Sequence, residues 1–397
     1  MHQTHNLQQR MRLFISIFLP ILIYQLANFS ASFVDTTMTG QYDTLHLAGV
    51  SMATSLWIPF FDLLIGIVSA LVPIIGHHLG QGKKEKIAAD FYQFIYLSLG
   101  LSLILFALVF VGAPLVLSHL GLEPLVEEVA KNYLWYLALG IIPLLLFSTI
   151  RSLFDALGLT KLSMYLMLLL LPLNSSFNYA LIYGAFGFPE MGGAGAGLGT
   201  SLAYWVLLLI SLLVAVKHPK IRSYELWKIR PLDKKGLIEG IRLGLPIGGT
   251  FFAEVVIFSV VGLVMAKFSS LIIASHQAAM NFSNLMYAFP MSISTSMSII
   301  VSYEIGANRH DDVKKFCKLG RLTALGIAGF TFLFLYILRD RVAALYGSDT
   351  EFIRMTSVFL TYSLFFQLAD TFAAPLQGIL RGYKDTQVPF YLGLIAY

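Results

Sequence analysis

The run LGLSLILFALVFV at residues 99–111 decides the class of fold. It carries no charge, and polar and apolar side chains do not alternate along it, as they would over about ten residues in a strand of a membrane barrel. It is the middle of an apolar stretch, 91–117, that exceeds the ~20 residues a helix needs to cross a bilayer. Reading outward, similar runs bounded by charges and by Gly/Pro clusters occupy 11–36, 47–75, 133–154, 162–184, 194–216, 239–265, 271–303, 319–338 and 355–380. An eleventh begins near Gln387 and reaches Tyr397 while still short of a span. The expected fold is an all-α polytopic membrane protein with ten complete spans, part of an eleventh and no soluble domain.

Composition agrees. Of 397 residues, 57% are hydrophobic and only 12% charged, with a mean hydropathy of +0.75, against about 25% charged in a typical soluble domain. The 31 Phe and 19 Tyr exclude a disordered chain, and the single cysteine, Cys317, excludes an internal disulfide framework. The first apolar run is too long for a secretory signal peptide, holds Asp35 and lacks a small-residue cleavage site.

Assigning the loops alternately to two sides of a membrane gathers 22 of the 27 basic residues on one side, leaving Lys131, Lys267, Arg339, Arg341 and Arg354 on the other. The positive-inside rule then puts the amino terminus and the basic loops of a multi-pass protein in the cytoplasm. These charges sit on short loops between spans, which accounts for the pI near 9.1 without a nucleic-acid partner.

The longest polar connection, around Lys217 to Lys235, separates six spans from the rest. A shift of 226 positions lays Leu79-Gly80-Gln81-Gly82 on Ile305-Gly306-Ala307-Asn308, and Leu47-Ala48 on Ile273-Ala274. A shift of 224 lays Leu157-Gly158 on Arg381-Gly382. We expect a tandem repeat: an N-terminal six-helix lobe over 1–220, a cytoplasmic inter-lobe loop over 221–238, and a C-terminal lobe over 239–397 that is incomplete in this chain. Six is even, so the copies run parallel and enclose a central path.

An ionisable side chain at membrane depth costs at least a few kcal/mol and calls for a pairing or functional explanation. Four acids lie inside the spans: Asp35, Asp62, Glu254 and Asp370, and no basic residue is expected at the same depth. An acid-only interior suits an organic cation, Na⁺ or a proton. Asn28 lies seven residues before Asp35, on the same helix face. Gln277, Asn281, Asn284 and Tyr287 form one polar stripe; Ser363, Gln367, Asp370 and Gln377 form another. Together these can supply carboxylate and amide oxygens to a hard cation at Glu254 and Asp370. The alternative for such stripes is interhelical hydrogen bonding, which also applies to Asn174 and Asn178, one turn apart near Pro172. Pro20 is expected to bend the helix that carries Asp35. No GxSxG, HExxH, Walker A or DDxxD motif occurs, so neither an enzyme nor an ATP-driven pump finds support.

Several motifs together resemble the multidrug and toxic compound extrusion (MATE) transporters, in their NorM-like bacterial branch. They are Phe33-Val34-Asp35-Thr36 ahead of Gly40, Val72-Pro73 followed by Gly80-Gln81-Gly82, and Asn178-Tyr179 with Pro189-Glu190-Met191-Gly192-Gly193. Gly244-Leu245-Pro246-Ile247 before Phe252-Ala253-Glu254, Ser275-His276-Gln277, and Gln377 through Asp385 complete the set. The resemblance implies twelve helices in two lobes forming a V, and export of small amphipathic cationic drugs or dyes in exchange for Na⁺ or H⁺, by a monomer without cofactor. It implies that Asp35 handles drug and proton in the first lobe, and that Glu254 and Asp370 form the cation site in the second. Asp62 departs from the pattern, occupying a position expected to be apolar. A lipid-linked saccharide flippase of similar architecture would be expected to line its cavity with Arg or Lys. A membrane enzyme would need a catalytic motif, and a channel no duplication.

Overall fold

In the computed structural model, which describes residues 3–226, 228–265, 268–347 and 349–396, every regular element is helical. The chain runs through α1 (Leu7–Tyr42), α2 (Thr44–Ser69), α3 (Leu71–Gly80), α4 (Lys84–Ser118), α5 (Pro124–Ala138), α6 (Ile141–Ala156), α7 (Thr160–Ile182) and α8 (Gly193–Lys217). It continues through α9 (Pro219–Arg222), α10 (Lys234–Met265), α11 (Ser270–Gly306), α12 (His310–Ala344), α13 (Thr350–Gly382) and α14 (Gln387–Ala396). Among the described residues nine helices, counting α2 and α3 as one, are long and apolar enough to span a bilayer, and the bent pair α5–α6, taken as one span, makes a tenth. All ten expected spans are present, most extending a turn or two further at one or both ends.

Local chemistry sets the helix starts. The Asn6 side chain accepts the Gln9 amide at 2.8 Å and the Asp43 carboxylate accepts those of Leu45 and His46, satisfying amides that the first turn leaves without carbonyls. Proline sets two interruptions. Pro73 and Pro143 each clash with the carbonyl four residues back, Ser69 and Leu139, and there α2 ends and α5 gives way to α6 with a 49° bend. At the second break the loosened carbonyls find side chains on α8: Ser201 Oγ donates to Tyr136 at 2.7 Å and Trp205 Nε1 to Leu139 at 3.1 Å. Pro20 is buried in α1, which runs unbroken past it, and the Ser16 carbonyl, one turn back, accepts from Thr160 Oγ1 at 3.4 Å.

The helices are apolar on their outer faces. Leu103, Ile104, Phe110 and Val111 of α4, Leu209 and Leu213 of α8, and Phe330, Leu333 and Ile337 of α12 are exposed, a band that hydrocarbon must cover. Inside, one large core joins the first six spans to the Ile293–Val301 stretch of α11 and to Val313, Phe316 and Ala324 of α12. At the opposite end α11, α12 and α13 build a separate small core from Ala279, Phe282, Leu335, Val342, Ala343, Leu360 and Leu364. The packing between early and late helices is therefore concentrated at the end that carries the basic loops.

The connection after α8 is not slack. Tyr92 and Tyr96 of α4 donate to the carbonyls of Leu226 and Arg230 at 2.6 and 2.7 Å, and Gln93 bridges the Pro231 carbonyl and the Asp233 amide.

Candidate functional site

Two acid centres stand in the helical interior. In the first, α1 brings Asp35 against α7, where both carboxylate oxygens accept amide hydrogens: Asn174 Nδ2 donates to Oδ2 at 3.4 Å and Asn178 Nδ2 donates to Oδ1. Asn178 also donates to Asn174 Oδ1 at 2.6 Å, and Asn174 to Thr200 Oγ1 at 3.4 Å. The approach of α8 depends on Gly199, where a Cβ would stand 2.1 Å from Asn178 Oδ1. That Oδ1 is buried and accepts no hydrogen bond, so the centre holds a carboxylate and an adjacent acceptor still open to a donor or a cation. Asn28 is exposed on α1 and does not join it.

In the second centre, Glu254 of α10 accepts from Tyr287 Oη of α11 at 3.3 Å. Asp370 of α13 and Asp62 of α2 are half-buried and both lie within electrostatic reach of Glu254. Across α2 and α10 the chain approach is close: a Cβ on Gly66 would meet the Gly248 Cα at 2.5 Å and the Phe251 ring at 3.0 Å. Asp62 is one turn beyond Gly66, and Glu254 about one turn beyond Phe251, in antiparallel helices, which sets the two acids across one interface. Gln367 is buried with its Nε2 unpartnered. Gln277 and Asn281 are exposed on α11, and Asn281 accepts from Tyr346 Oη at 3.1 Å. Among the described residues no group of three or more His, Cys, Asp or Glu is placed to hold a metal ion.

One expectation is corrected. The interior is not acid-only: Arg381 of α13 is 9% exposed, its guanidinium lies 4.9 Å from the Phe251 ring centroid, and it is within electrostatic reach of Glu254. Arg381 falls just outside the apolar run, which ends at residue 380, whereas the helix continues to Gly382. The same boundary effect hid Asp155, which falls one residue past the expected end of its span. Asp155 is buried on α6, accepting from Ser163 Oγ at 2.6 Å and Tyr24 Oη at 3.3 Å, and Arg151 lies 5.0 Å over the Tyr24 ring. Tyr24 lies eleven residues, about three turns, before Asp35, so the two share a face of α1. Tyr204 is within electrostatic reach of both Asp35 and Arg151. A polar track therefore extends from the first acid centre toward the basic-loop end.

Known proteins agree with the fold and the spans. A probable multidrug resistance protein NorM of Streptococcus pneumoniae is 71% identical over 397 residues, all of this chain and 88% of the relative. One of Halalkalibacterium halodurans is 41% identical over 401 residues, covering 100% of this chain and 87% of the relative. Among solved structures, the eukaryotic MATE transporter AtDTX14 superposes with a TM-score of 0.86 at 18% identity, over 98% of this chain and 86% of that one. An outward-facing multidrug resistance MATE family transporter superposes with a TM-score of 0.83 at 18% identity, over 99% and 88%. The MatE family model matches residues 20–180 and 246–397. With the family model matched over most of its length and a NorM relative 71% identical over all of it, the chain belongs to the MatE family and is a membrane transporter rather than an enzyme.

Proposed function

We propose that this transporter is a secondary multidrug efflux antiporter, exporting small amphipathic organic cations in exchange for Na⁺ or H⁺. The observation that carries the reading is the separation of two acid centres, Asp35 on α1 and Glu254 with Asp370 on α10 and α13. Exchange needs a place for the drug and a place for the coupling ion. It also needs the two ligands to favour opposite states, since a ligand with equal affinity for both states shifts neither.

In this reading residues 1–220 and 239–397 form two lobes joined by 221–238, with the amino terminus and the basic loops in the cytoplasm of a bacterial cell. Asp35, Asn174 and Asn178 bind drug and proton in the first lobe. A carboxylate flanked by amides can hold a proton, or face an ammonium group, without a second charge nearby. Glu254 and Asp370 bind the ion in the second, with Gln367 beside them. Gln277, Asn281 and, in the first lobe, Asn28 are exposed and would join only as the helices close around a ligand. Asp62 adds a third carboxylate to the ion side, and Arg381 a counter-charge that a bound cation must compete with. A flippase for a pyrophosphate-linked lipid is disfavoured because the acids outnumber the basic groups at the centre.

The test is dye or drug efflux from vesicles holding the purified transporter, under an imposed Na⁺ gradient and, separately, a pH gradient. Efflux accelerated by either supports antiport. Efflux indifferent to both, with drug bound normally, refutes it.

A further inference from the structure

At the basic-loop end the early and late helices touch backbone to backbone. A Cβ on Gly76 of α3 would stand 2.0 Å from Ser302 Oγ of α11, one on Gly80 2.2 Å from the Tyr303 carbonyl, and one on Gly306 2.2 Å from the His77 carbonyl. Small residues permit this approach but do not hold it, because lipid tails solvate an apolar face as well as another helix does. Two polar contacts flank the crossing. His77 Nε2 donates to the Gly382 carbonyl at 2.8 Å, joining α3 to the end of α13. Arg10, in the first turn of α1, pairs with Asp312 at the start of α12 at 3.2 Å, with side-chain exposures of only 10% and 13%.

The surroundings make the second contact more than a surface ion pair. Arg10 also donates to the Thr4 carbonyl at 3.3 Å. Lys315 reaches Asp312 at 3.9 Å, and the fully buried Glu304 pairs with Arg309 at 2.9 Å beside it. Charges shielded from water are screened little by salt and are costly to separate singly.

We propose that Arg10–Asp312 and His77–Gly382 are a two-point latch that holds the basic-loop end of the transporter shut. It rests on the transporter reading but not on the identity of the drug or the coupling ion. The latch residues are positioning residues: they touch no substrate and act by setting how often the α3–α11 crossing parts. Opening would expose Ser302, now fully buried, and would part the only large core that the early and late helices share among the described residues.

The experiment uses the full chain in detergent, with Cys317→Ser to remove the native thiol and Ser302→Cys as reporter, read as the rate of maleimide labelling without substrate. Arg10→Gln and Asp312→Asn are each expected to raise the rate roughly three- to tenfold, the scale of a partly buried pair. The double variant should label no faster than the faster single, since either change alone already removes the pair. His77→Leu should also accelerate labelling, whereas His77→Gln, which retains an amide donor, should label like the parent. Unchanged rates in the single variants overturn the latch, as do effects of Arg10→Gln and Asp312→Asn that multiply. Efflux under the two gradients is measured separately, so a chain that labels as expected but fails to couple refutes the antiport reading and leaves the latch standing.

Discussion

Asp35 meets two amides because α7 presents Asn174 and Asn178 one turn apart and α8 carries no side chain at Gly199 to push them away. Gly199→Ala is therefore expected to displace Asn178 and cost about 1–3 kcal/mol, the range for overpacking, lowering the thermal midpoint in detergent. It should also weaken drug binding in the same direction as Asp35→Asn; a variant with parental stability and drug affinity would separate Gly199 from the site. On the ion side, Glu254→Gln and Asp370→Asn should abolish acceleration by an imposed gradient while drug binding stays measurable. Because Na⁺ and H⁺ would compete for the same carboxylates, Na⁺-driven efflux should fall as the pH is lowered, since protonation removes the charge that holds the ion. A Na⁺ response that rises with acidification would contradict a shared site. The acids themselves were legible, since an ionisable residue inside an apolar run stands out by its cost. Their partners were less so: Arg381 and Asp155 each lie just past the point where the apolar pattern stops, and depth there depends on how far the helix continues rather than on the residue. Periodicity also could not tell whether Asn28 on the Asp35 face turns into the helix contact or away from it.

The spans were readable because a bilayer imposes one length on every crossing, so the ten long apolar runs match nine long helices and one bent pair among the described residues, with ends within about two and a half turns. The breaks were not, though both follow from proline. A proline inside a membrane helix bends, breaks or passes unnoticed according to what donates to the carbonyl it displaces, and that is a tertiary question. At the Pro143 break Ser201 of α8 donates to the Tyr136 carbonyl and Trp205 to that of Leu139. Ser201→Ala should leave the Tyr136 carbonyl without that donor and cost about 1 kcal/mol, seen as a lower unfolding midpoint in detergent. Ser201→Thr, which keeps the hydroxyl, should lose less; equal losses would mean that packing, not the hydrogen bond, holds the break. Orientation belongs to this scale too. With 22 of 27 basic residues on one side, a cysteine introduced at Ser223 in a Cys317→Ser chain is expected to resist a membrane-impermeant thiol reagent in intact cells, and brisk labelling from outside would reverse the topology.

Over the whole molecule, packing is asymmetric between the two ends: one core is shared at the basic-loop end, while α11, α12 and α13 keep a small core of their own at the other. The duplication offsets lead to an expectation of two similar halves, but they do not say at which end early and late helices pack, because that depends on which faces of α3 and α11 are free of side chains. Asp62 is where this asymmetry and the acid centre coincide, across the close α2–α10 crossing. Asp62→Asn is expected to change the pH dependence or the substrate range of efflux, and unaltered export and stability in Asp62→Leu would leave the residue without a role. The strap laid across α4 by Tyr92, Gln93 and Tyr96 has a mechanical meaning as well. A connection whose carbonyls are bolted to a neighbouring helix is a splint rather than a tether, so a tilt of α4 reaches the foot of α10 without slack. In the two-lobe reading, swinging of one half would be geared directly to the helix that carries Glu254.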